Sequence, residues 1–290
     1  MHKKNTLIVS GADGFIGKAL LKQLDGTLNI VSLKKEDGDI GSLDLSTHLS
    51  EKFDYPTFVH LASRTFVPIA WESPEDFIQS NITSTLNILK YCRGHRVPLI
   101  FISAYIYGNQ KSLPIREDAS IKLSNPYAHS KYLCEEICKY FAKVFHMDIT
   151  ILRPFNIYGP SQKDSFLIPE IIKQLKESNR VSVNSFNPKR DYLYIDDFIE
   201  AIIIATQEIK GFQTYNIGSG ESISVKNLID LLSKIIGKEI DSSEKNIERI
   251  NEIEDVVADI SLAKENLGWQ PNINLEEGLK KILIHEGFNL

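Results

Sequence analysis

Tyr127 and Lys131 have the types and spacing that acid–base chemistry requires. They lie four residues apart in the stretch NPYAHSK, residues 125–131, so a helix would place both on one face. An ammonium group beside a phenol stabilises the phenolate, which lowers the pKa of the tyrosine and lets it exchange protons near neutral pH. The stretch alone fits an ordinary surface helix equally well, so the reading depends on what else lies near it.

The elements that would position these residues alternate along the first half of the chain. Apolar runs at 6–10, 28–33, 57–62, 99–103 and 149–154 are typical of buried strands, and helical spacing appears between them at 15–24, 77–92 and 127–145. This alternation predicts an α/β fold, a Rossmann-type doubly wound parallel sheet covered on both faces. Ser103 ends one predicted strand, at the sheet edge where ligands bind, and can share an oxygen with Tyr127.

A glycine turn, GADGFIG, follows the first predicted strand and opens the first helix. Gly11, Gly14 and Gly17 permit a tight turn, close approach of a pyrophosphate and close packing of helix on strand. Free amides at the helix N-terminus suit phosphates. The spacing GxxGxxG differs from the usual GxGxxG, so the strand–turn–helix context carries the prediction of a dinucleotide site.

The second predicted strand ends where many dinucleotide sites carry an acid for the adenosine ribose. Here Lys34 and Lys35 come first, and a lysine suits a 2′-phosphate instead. This favours NADP(H) over NAD(H), although two solvated loop lysines are the plain alternative. Asp44 is a candidate acceptor for the adenine amino group.

Length and composition limit the classes of protein. The 290 residues and net charge of −5 fit one large or two small globular domains and no nucleic-acid partner. No apolar run is long enough to span a membrane, and the start shows no signal peptide, so a cytoplasmic location is expected. Cys92, Cys134 and Cys138 fit buried thiols better than a metal site, and no metal is predicted.

Residues 1–160 are predicted to form the dinucleotide-binding domain, with segments near 190–217 returning to it. Residues 161–290 are predicted to form a smaller α/β substrate domain.

Nine motifs together resemble the extended short-chain dehydrogenase/reductases, the NAD-dependent epimerase/dehydratase family that modifies nucleotide sugars. They are GxxGxxG (11–17), VHLAS (59–63), Asn81 in SNITSTLNIL, Ser103 before YIYG, YxxxK (127–131), LRPFNIYGP (152–160), RDYLYIDD (190–197), YNIGSG (215–220) and ADISLAKENLGW (258–269). Their order spans nearly the whole chain.

The resemblance implies roles for individual residues. Ser103, Tyr127 and Lys131 would be catalytic. The cofactor would lie against Gly11, Asp13, Gly14, Phe15, Ile16, Gly17, Leu61, Ala62, Ser63, Asn81, Tyr127, Lys131 and Pro154. The nucleotide sugar would contact Arg64, Ser103, Ala104, Tyr105, Asn156, Arg190 and Arg249, with the last two arginines on its diphosphate unless they form surface ion pairs.

The residues after Ser103 narrow the reaction. Dehydratases of the family carry an Asp-Glu pair there, whereas Ala104 and Tyr105 cannot act as carboxylic acids. Two readings remain: a 4-ketoreductase of an NDP-4-keto-6-deoxyhexose, favoured by Lys34 and Lys35, or an NDP-sugar 4-epimerase with tightly bound NAD. A non-catalytic dinucleotide sensor is disfavoured because the Ser, Tyr and Lys set is intact. The family also implies a homodimer, built on the helices predicted at 77–92 and 127–145.

Overall fold

The structure is a computed structural model that describes residues 5–24, 26, 28–49, 53–247 and 251–290. Its strands are β1 (Thr6–Ser10), β2 (Asn29–Leu33), β3 (Pro56–His60), β4 (Leu99–Ile102), β5 (Ile149–Pro154), β6 (Asn156–Tyr158), β7 (Arg180–Val183), β8 (Lys189–Arg190), β9 (Tyr192–Tyr194), β10 (Phe212–Ile217), β11 (Ile223–Ser224), β12 (Asp241–Glu244) and β13 (Asp255–Val256). Its α-helices are α1 (Phe15–Leu24), α2 (Leu45–His48), α3 (Val67–Glu72), α4 (Pro74–His95), α5 (Pro126–Phe145), α6 (Leu167–Glu177), α7 (Ile195–Ala205), α8 (Val225–Ile236), α9 (Ser261–Leu267) and α10 (Leu275–His285).

A six-stranded parallel sheet forms the centre, in the order β2-β1-β3-β4-β5-β10. Residues of β1, β4 and β5 are buried without a break, because parallel strands covered on both faces need continuous apolar runs. One face packs on α1 and α7, and the other packs on α4 and α5. The predicted doubly wound α/β fold is confirmed.

The strand order reverses between β1 and β3. The chain runs from β1 to the edge strand β2 and then crosses to β3 on the opposite side of β1. In doubly wound sheets the ligand crevice opens at such a switch point, beyond the carboxyl ends of the strands. The residues that follow β1, β3 and β4 therefore face the same end of the molecule.

Helix α5 begins at Pro126, one residue before the run predicted at 127–145. The Asn125 side chain accepts a hydrogen bond from the Ala128 amide (2.8 Å), and Pro126 occupies the first turn, where its missing amide hydrogen costs nothing. Tyr127 therefore lies in the first turn of the helix.

The second half contributes smaller sheets, β11-β8-β13, β12-β7 and β6-β9, together with α6 and α8 to α10. The motif YNIGSG (215–220) begins within β10, which runs from Phe212 to Ile217, and Gly220 follows the strand with a φ of +80°. β10 joins the edge of the large sheet, whereas the division at residue 160 stays a prediction. In the part of the chain that the structure describes, no helix has both the length and the apolar character of a membrane span.

Candidate active site

The glycine turn after β1 packs directly on the segment that follows β3. Gly11 has a φ of +72°, and a Cβ added there would lie 2.7 Å from the Ala62 backbone nitrogen. A Cβ on Gly17 would lie 2.4 Å from the Gly11 carbonyl oxygen. Both positions therefore require glycine for backbone packing, as the motif predicts.

A cleft of about 1530 Å³ opens at this turn. Ten of the predicted ligand contacts line it: Gly11, Asp13, Gly14, Phe15, Lys34, Lys35, Leu61, Ala62, Ser63 and Arg64. Ile16 and Gly17 do not line it, because Ile16 packs toward the core and Gly17 is buried. The N-terminus of α1 and the exposed lysines give the cleft donors and positive charge, which fit the phosphates of a dinucleotide.

Lys34 directly follows β2, at the position where a ribose-binding acid would lie. Its Nζ pairs with Glu36 Oε1 at 3.3 Å, and both side chains are largely exposed. An exposed ion pair of this kind contributes little, so a phosphate can replace Glu36 at small cost. Asp44 caps α2 instead of facing the cleft, since its carboxylate accepts from the Ser46 and Thr47 amides and from the Thr47 hydroxyl. These three bonds leave about one of the four acceptor positions of the carboxylate, so the contact with an adenine amino group stays a prediction.

Lys131 reaches the carboxyl end of β4 beside Ser103, and Tyr127 packs against the cluster that contains Ala104, although none of the three catalytic candidates lines the large cleft itself. Lys131 Nζ donates to the carbonyl oxygen of Ile102 at 2.7 Å, one residue before Ser103, and lies 4.9 Å from the centre of the Phe101 ring. Ser103 is 2 % exposed. Among the residues that the structure describes, its Oγ is a buried polar atom without a hydrogen-bond partner. Such an atom calls for an explanation, and a ligand oxygen is one.

The electrostatics of the pair differ from the sequence expectation. Burial, followed by the neighbouring Tyr105 phenol, raises the pKa of Tyr127 above its ordinary value of 10.0. Burial lowers the pKa of Lys131 to about 8. The expected net lowering of the Tyr127 pKa is wrong in this structure, because desolvation of the phenol outweighs any stabilisation by the ammonium, which donates to a carbonyl oxygen.

Asn81 lies beside the cleft segment, and its contact with a cofactor stays a prediction. Its Oδ1 accepts from the Ser63 hydroxyl (3.1 Å) and the Arg64 amide (2.9 Å), and its Nδ2 donates to the Arg64 carbonyl (3.3 Å) and to Ser130 Oγ (2.8 Å). A carboxamide has two donors and two acceptor positions, and all four are occupied within the protein. Asn81 instead ties the cleft segment to α5.

Ser130 is a structural residue that sequence reasoning left without a role. It is fully buried, accepts from Asn81 and donates to the Tyr127 carbonyl oxygen at 2.8 Å. Its position three residues after Tyr127 is the local signal that could have indicated this bond. The Asn81–Ser130 link thereby fixes the turn that carries Tyr127.

Three of the predicted sugar contacts follow the central strands: Ala104 and Tyr105 come after β4, and Asn156 begins β6. The Tyr105 hydroxyl donates to Asn156 Oδ1 (3.1 Å), its ring stacks on Phe155, and Asn156 Nδ2 donates to the Asp191 carbonyl (3.0 Å). Ala104 is buried, and Pro154 ends β5 in register with Ile217.

The structure describes one of the two arginines that are predicted to contact the diphosphate. Arg190 pairs with Glu252 and donates to the Ile253 carbonyl at 2.7 Å. A diphosphate that binds this guanidinium would have to replace these partners. Arg249 lies outside the described residues.

The three cysteines are buried free thiols, and burial raises the pKa of each. In the described ranges, no group of three or more His, Cys, Asp or Glu side chains is placed to hold a metal ion.

Comparison with known proteins agrees with this fold and site. The profile of the NAD dependent epimerase/dehydratase family matches residues 7–218. GDP-6-deoxy-D-mannose reductase of Pseudomonas aeruginosa is 30% identical over 96% of this chain and 95% of its own length. UDP-glucuronate 4-epimerase of Thermodesulfobacterium geofontis is 29% identical over 94% of each chain. The structure of RMD from Pseudomonas aeruginosa complexed with NADPH has a TM-score of 0.88 and 30% identity, and the match covers 97% and 98% of the two chains.

The fold and the site define an NAD(P)-dependent enzyme with a Rossmann-type sheet. The chain belongs to the NAD dependent epimerase/dehydratase family, whose similar members are nucleotide-sugar epimerases and reductases.

Proposed function

We propose that this enzyme is an NADPH-dependent 4-ketoreductase of a nucleoside-diphosphate 4-keto-6-deoxyhexose. The observation that carries the proposal is the buried Ser103 Oγ, which has no partner in the described part of the chain and directly follows Ile102, whose carbonyl oxygen accepts from Lys131. A ligand oxygen at this point would satisfy the Ser103 hydroxyl and lie within reach of a proton donor.

The protonation state of Tyr127 suits reduction. The raised pKa of Tyr127 keeps the phenol protonated at neutral pH, and a protonated phenol is the form that donates to the oxygen of a reduced carbonyl. NADPH, when bound, supplies the hydride for the C4 carbon. Ser103 holds the C4 oxygen by a hydrogen bond, and the Lys131 ammonium stabilises the phenolate that is left behind.

The choice of NADPH rests on charge. Backbone amides of the Gly11–Gly14 turn would hold the pyrophosphate, and Lys34 and Lys35 would hold the 2′-phosphate. The similar structure that is complexed with NADPH supports this choice.

The residues next to Ser103 favour a reaction in which the sugar does not lose water. Ala104 and Tyr105 offer no carboxylic acid next to Ser103, so water loss from the sugar has no acid or base at these positions. Asn156 and Arg190 are proposed to hold the sugar and the diphosphate, with Arg249 as a further diphosphate contact. UDP and GDP sugars are the substrates that the names of the two relatives indicate.

The alternative is an NDP-sugar 4-epimerase, supported by the similar UDP-glucuronate 4-epimerase. One experiment separates the two activities. The purified protein is denatured, any released cofactor is identified, and NADPH oxidation is followed with UDP- and GDP-linked 4-keto-6-deoxyhexoses. A site that gains NADPH from solution and oxidises it with the keto sugar supports the reductase. Stoichiometric bound NAD, with interconversion of 4-epimers and no net NADPH oxidation, would establish the epimerase instead.

A homodimer is proposed through α4 and α5. Leu86, Tyr140 and Val144 expose 40%, 56% and 46% of their surface, and Tyr140 and Val144 share one helical face. A second copy would cover these apolar groups. Light scattering should give twice the chain mass, and Tyr140→Glu with Val144→Glu should reduce it to one chain.

A cytoplasmic location is also proposed, since the three buried cysteines are free thiols.

A further inference from the structure

A buried ion pair lies behind the catalytic helix. Arg153 Nη2 is 2.6 Å from Glu135 Oε2, and Arg153 Nε is 3.0 Å from Glu135 Oε1. Their side chains are 9% and 5% exposed. Replacing such a pair with well-packed apolar residues is often neutral or stabilising, so fold stability alone is a weak reason for its presence.

The pair is placed to act on Lys131. Tyr127, Lys131 and Glu135 are spaced at i, i+4 and i+8 on α5, so each lies one turn from the next on the same face. Arg153 belongs to β5, one residue before Pro154, and its Nη1 donates to the Tyr107 hydroxyl at 2.7 Å. Tyr107 lies on the loop that follows Ser103, so the guanidinium is fixed from two sides.

The other titratable groups around Lys131 are neutral. His60 on β3 has its pKa lowered to about 3 by burial and by the Lys131 charge. On α5 itself, burial raises the pKa of the Tyr127 phenol and of the Cys134 and Cys138 thiols. From β4, Lys131 meets the Phe101 ring and a backbone carbonyl. Burial lowers the pKa of Lys131, and Cys134, Glu135 and Cys138 oppose that shift; with both thiols protonated, the Glu135 carboxylate on the same helix face is the charged group among the three.

We propose that Glu135 is a positioning residue that keeps Lys131 charged beside Tyr127, and that Arg153 holds the Glu135 carboxylate in the orientation this requires. The effect of Glu135 on turnover rests on the proposed function. Its effect on the charge of Lys131 is expected in the protein without substrate as well. Because the pKa of Lys131 is already about 8, the charge on its amine is sensitive to a small change near neutral pH. A fall of one pH unit in that pKa would reduce the charged fraction at pH 7.5 about threefold.

The test titrates Lys131 directly, by NMR of protein labelled with ¹³C at the lysine ε-carbon, with the resonance assigned by its loss in Lys131→Met. Glu135→Gln should lower the titration midpoint by about one pH unit, the effect of one charge a helical turn away in a partly solvated interior. Glu135→Asp keeps the charge and should leave the midpoint near the wild-type value. Glu136→Gln is the matched control, because Glu136 is the next residue and pairs with Lys139 at an exposed position.

An unchanged midpoint in folded Glu135→Gln overturns the proposal. If that variant does not fold, Glu135→Gln combined with Arg153→Gln removes both charges without leaving an unpaired guanidinium. Its midpoint should lie below that of Arg153→Gln alone, because these two variants differ only in the Glu135 charge, and equal midpoints in the two overturn the proposal equally. In the active enzyme, the alkaline limb of the kcat profile should move with the midpoint. Absence of reductase activity would count against the proposed function alone, because the titration needs no substrate.

Discussion

Replacing Gly11 with alanine tests whether the turn after β1 depends on close backbone packing or only on its left-handed conformation. Gly11 and Gly237 have almost the same φ, +72° and +71°, but their surroundings differ. A Cβ on Gly11 meets the Ala62 nitrogen at 2.7 Å, whereas a Cβ on Gly237 meets nothing within 4 Å. Gly237→Ala is thus a control with the same backbone penalty and no collision.

The left-handed conformation costs an alanine about 1–2 kcal/mol at either position. Overpacking adds about 1–3 kcal/mol at Gly11 alone, because the neighbouring atoms are backbone and cannot rotate away. In a chain of this size each kcal/mol lowers the melting temperature by about 2–4 °C. Gly11→Ala should therefore melt several degrees below Gly237→Ala.

Differential scanning fluorimetry measures both melting temperatures, and fluorescence titration measures NADPH affinity. Ala62 lines the cleft, so Gly11→Ala should also weaken NADPH binding, while Gly237→Ala should bind as the wild type does. Equal melting temperatures in the two variants would refute the packing argument. Normal NADPH affinity in Gly11→Ala would refute the link between the turn and the cleft.

Four further outcomes are expected. Tyr127→Phe should lower kcat by about 10²–10⁴-fold with NADPH affinity nearly unchanged, since only the proton donor is lost; wild-type turnover would contradict its role. Ser103→Ala should lower kcat/KM without reducing the melting temperature, because Oγ has no partner to lose among the described residues, and a large thermal loss would contradict that reading. Lys34→Ala should weaken NADPH more than NADH in parallel titrations, and an equal loss would remove the 2′-phosphate assignment. Burial depresses the pKa of His60 to about 3, so between pH 6.5 and 3 its imidazole is protonated in the unfolded chain and neutral in the folded one. The free energy of unfolding should therefore fall by about 1.4 kcal/mol for each unit by which the pH is lowered in this range. Chemical unfolding of wild type and His60→Gln measures this slope, and an equal slope in both would exclude His60 as the cause.

Much of the fold could be predicted because local pattern and tertiary packing agree. The runs at 6–10 and 149–154 coincide with β1 and β5, since strands buried on both faces have to be apolar throughout. Helix α5 could be predicted from its cap and first-turn proline. The short strands of the second half, such as Lys189–Arg190, were not predicted, because two residues carry no periodic signal.

The candidate site shows the same limit. Spacing could indicate which residues share a helix face, but it could not show where the polar atoms of Asn81 are directed or that Lys131 faces a carbonyl oxygen. Those contacts join residues distant in sequence, as between Asn81 and Ser130 or Glu135 and Arg153. The direction of the Tyr127 pKa shift cannot be predicted from the spacing for the same reason, because desolvation depends on the folded surroundings.

The carboxamide of Asn81 has a consequence for the entropy of ligand binding. Because all four of its hydrogen-bonding positions are occupied within the protein, the segment at Ser63 and Arg64 is already ordered when a ligand arrives. Rotational freedom of that segment is lost during folding and is not lost again on binding, so more of the contact energy is retained as affinity. Asn81→Ala should therefore bind cofactor with a more unfavourable entropy, although no hydrogen bond of its amide points to the cleft.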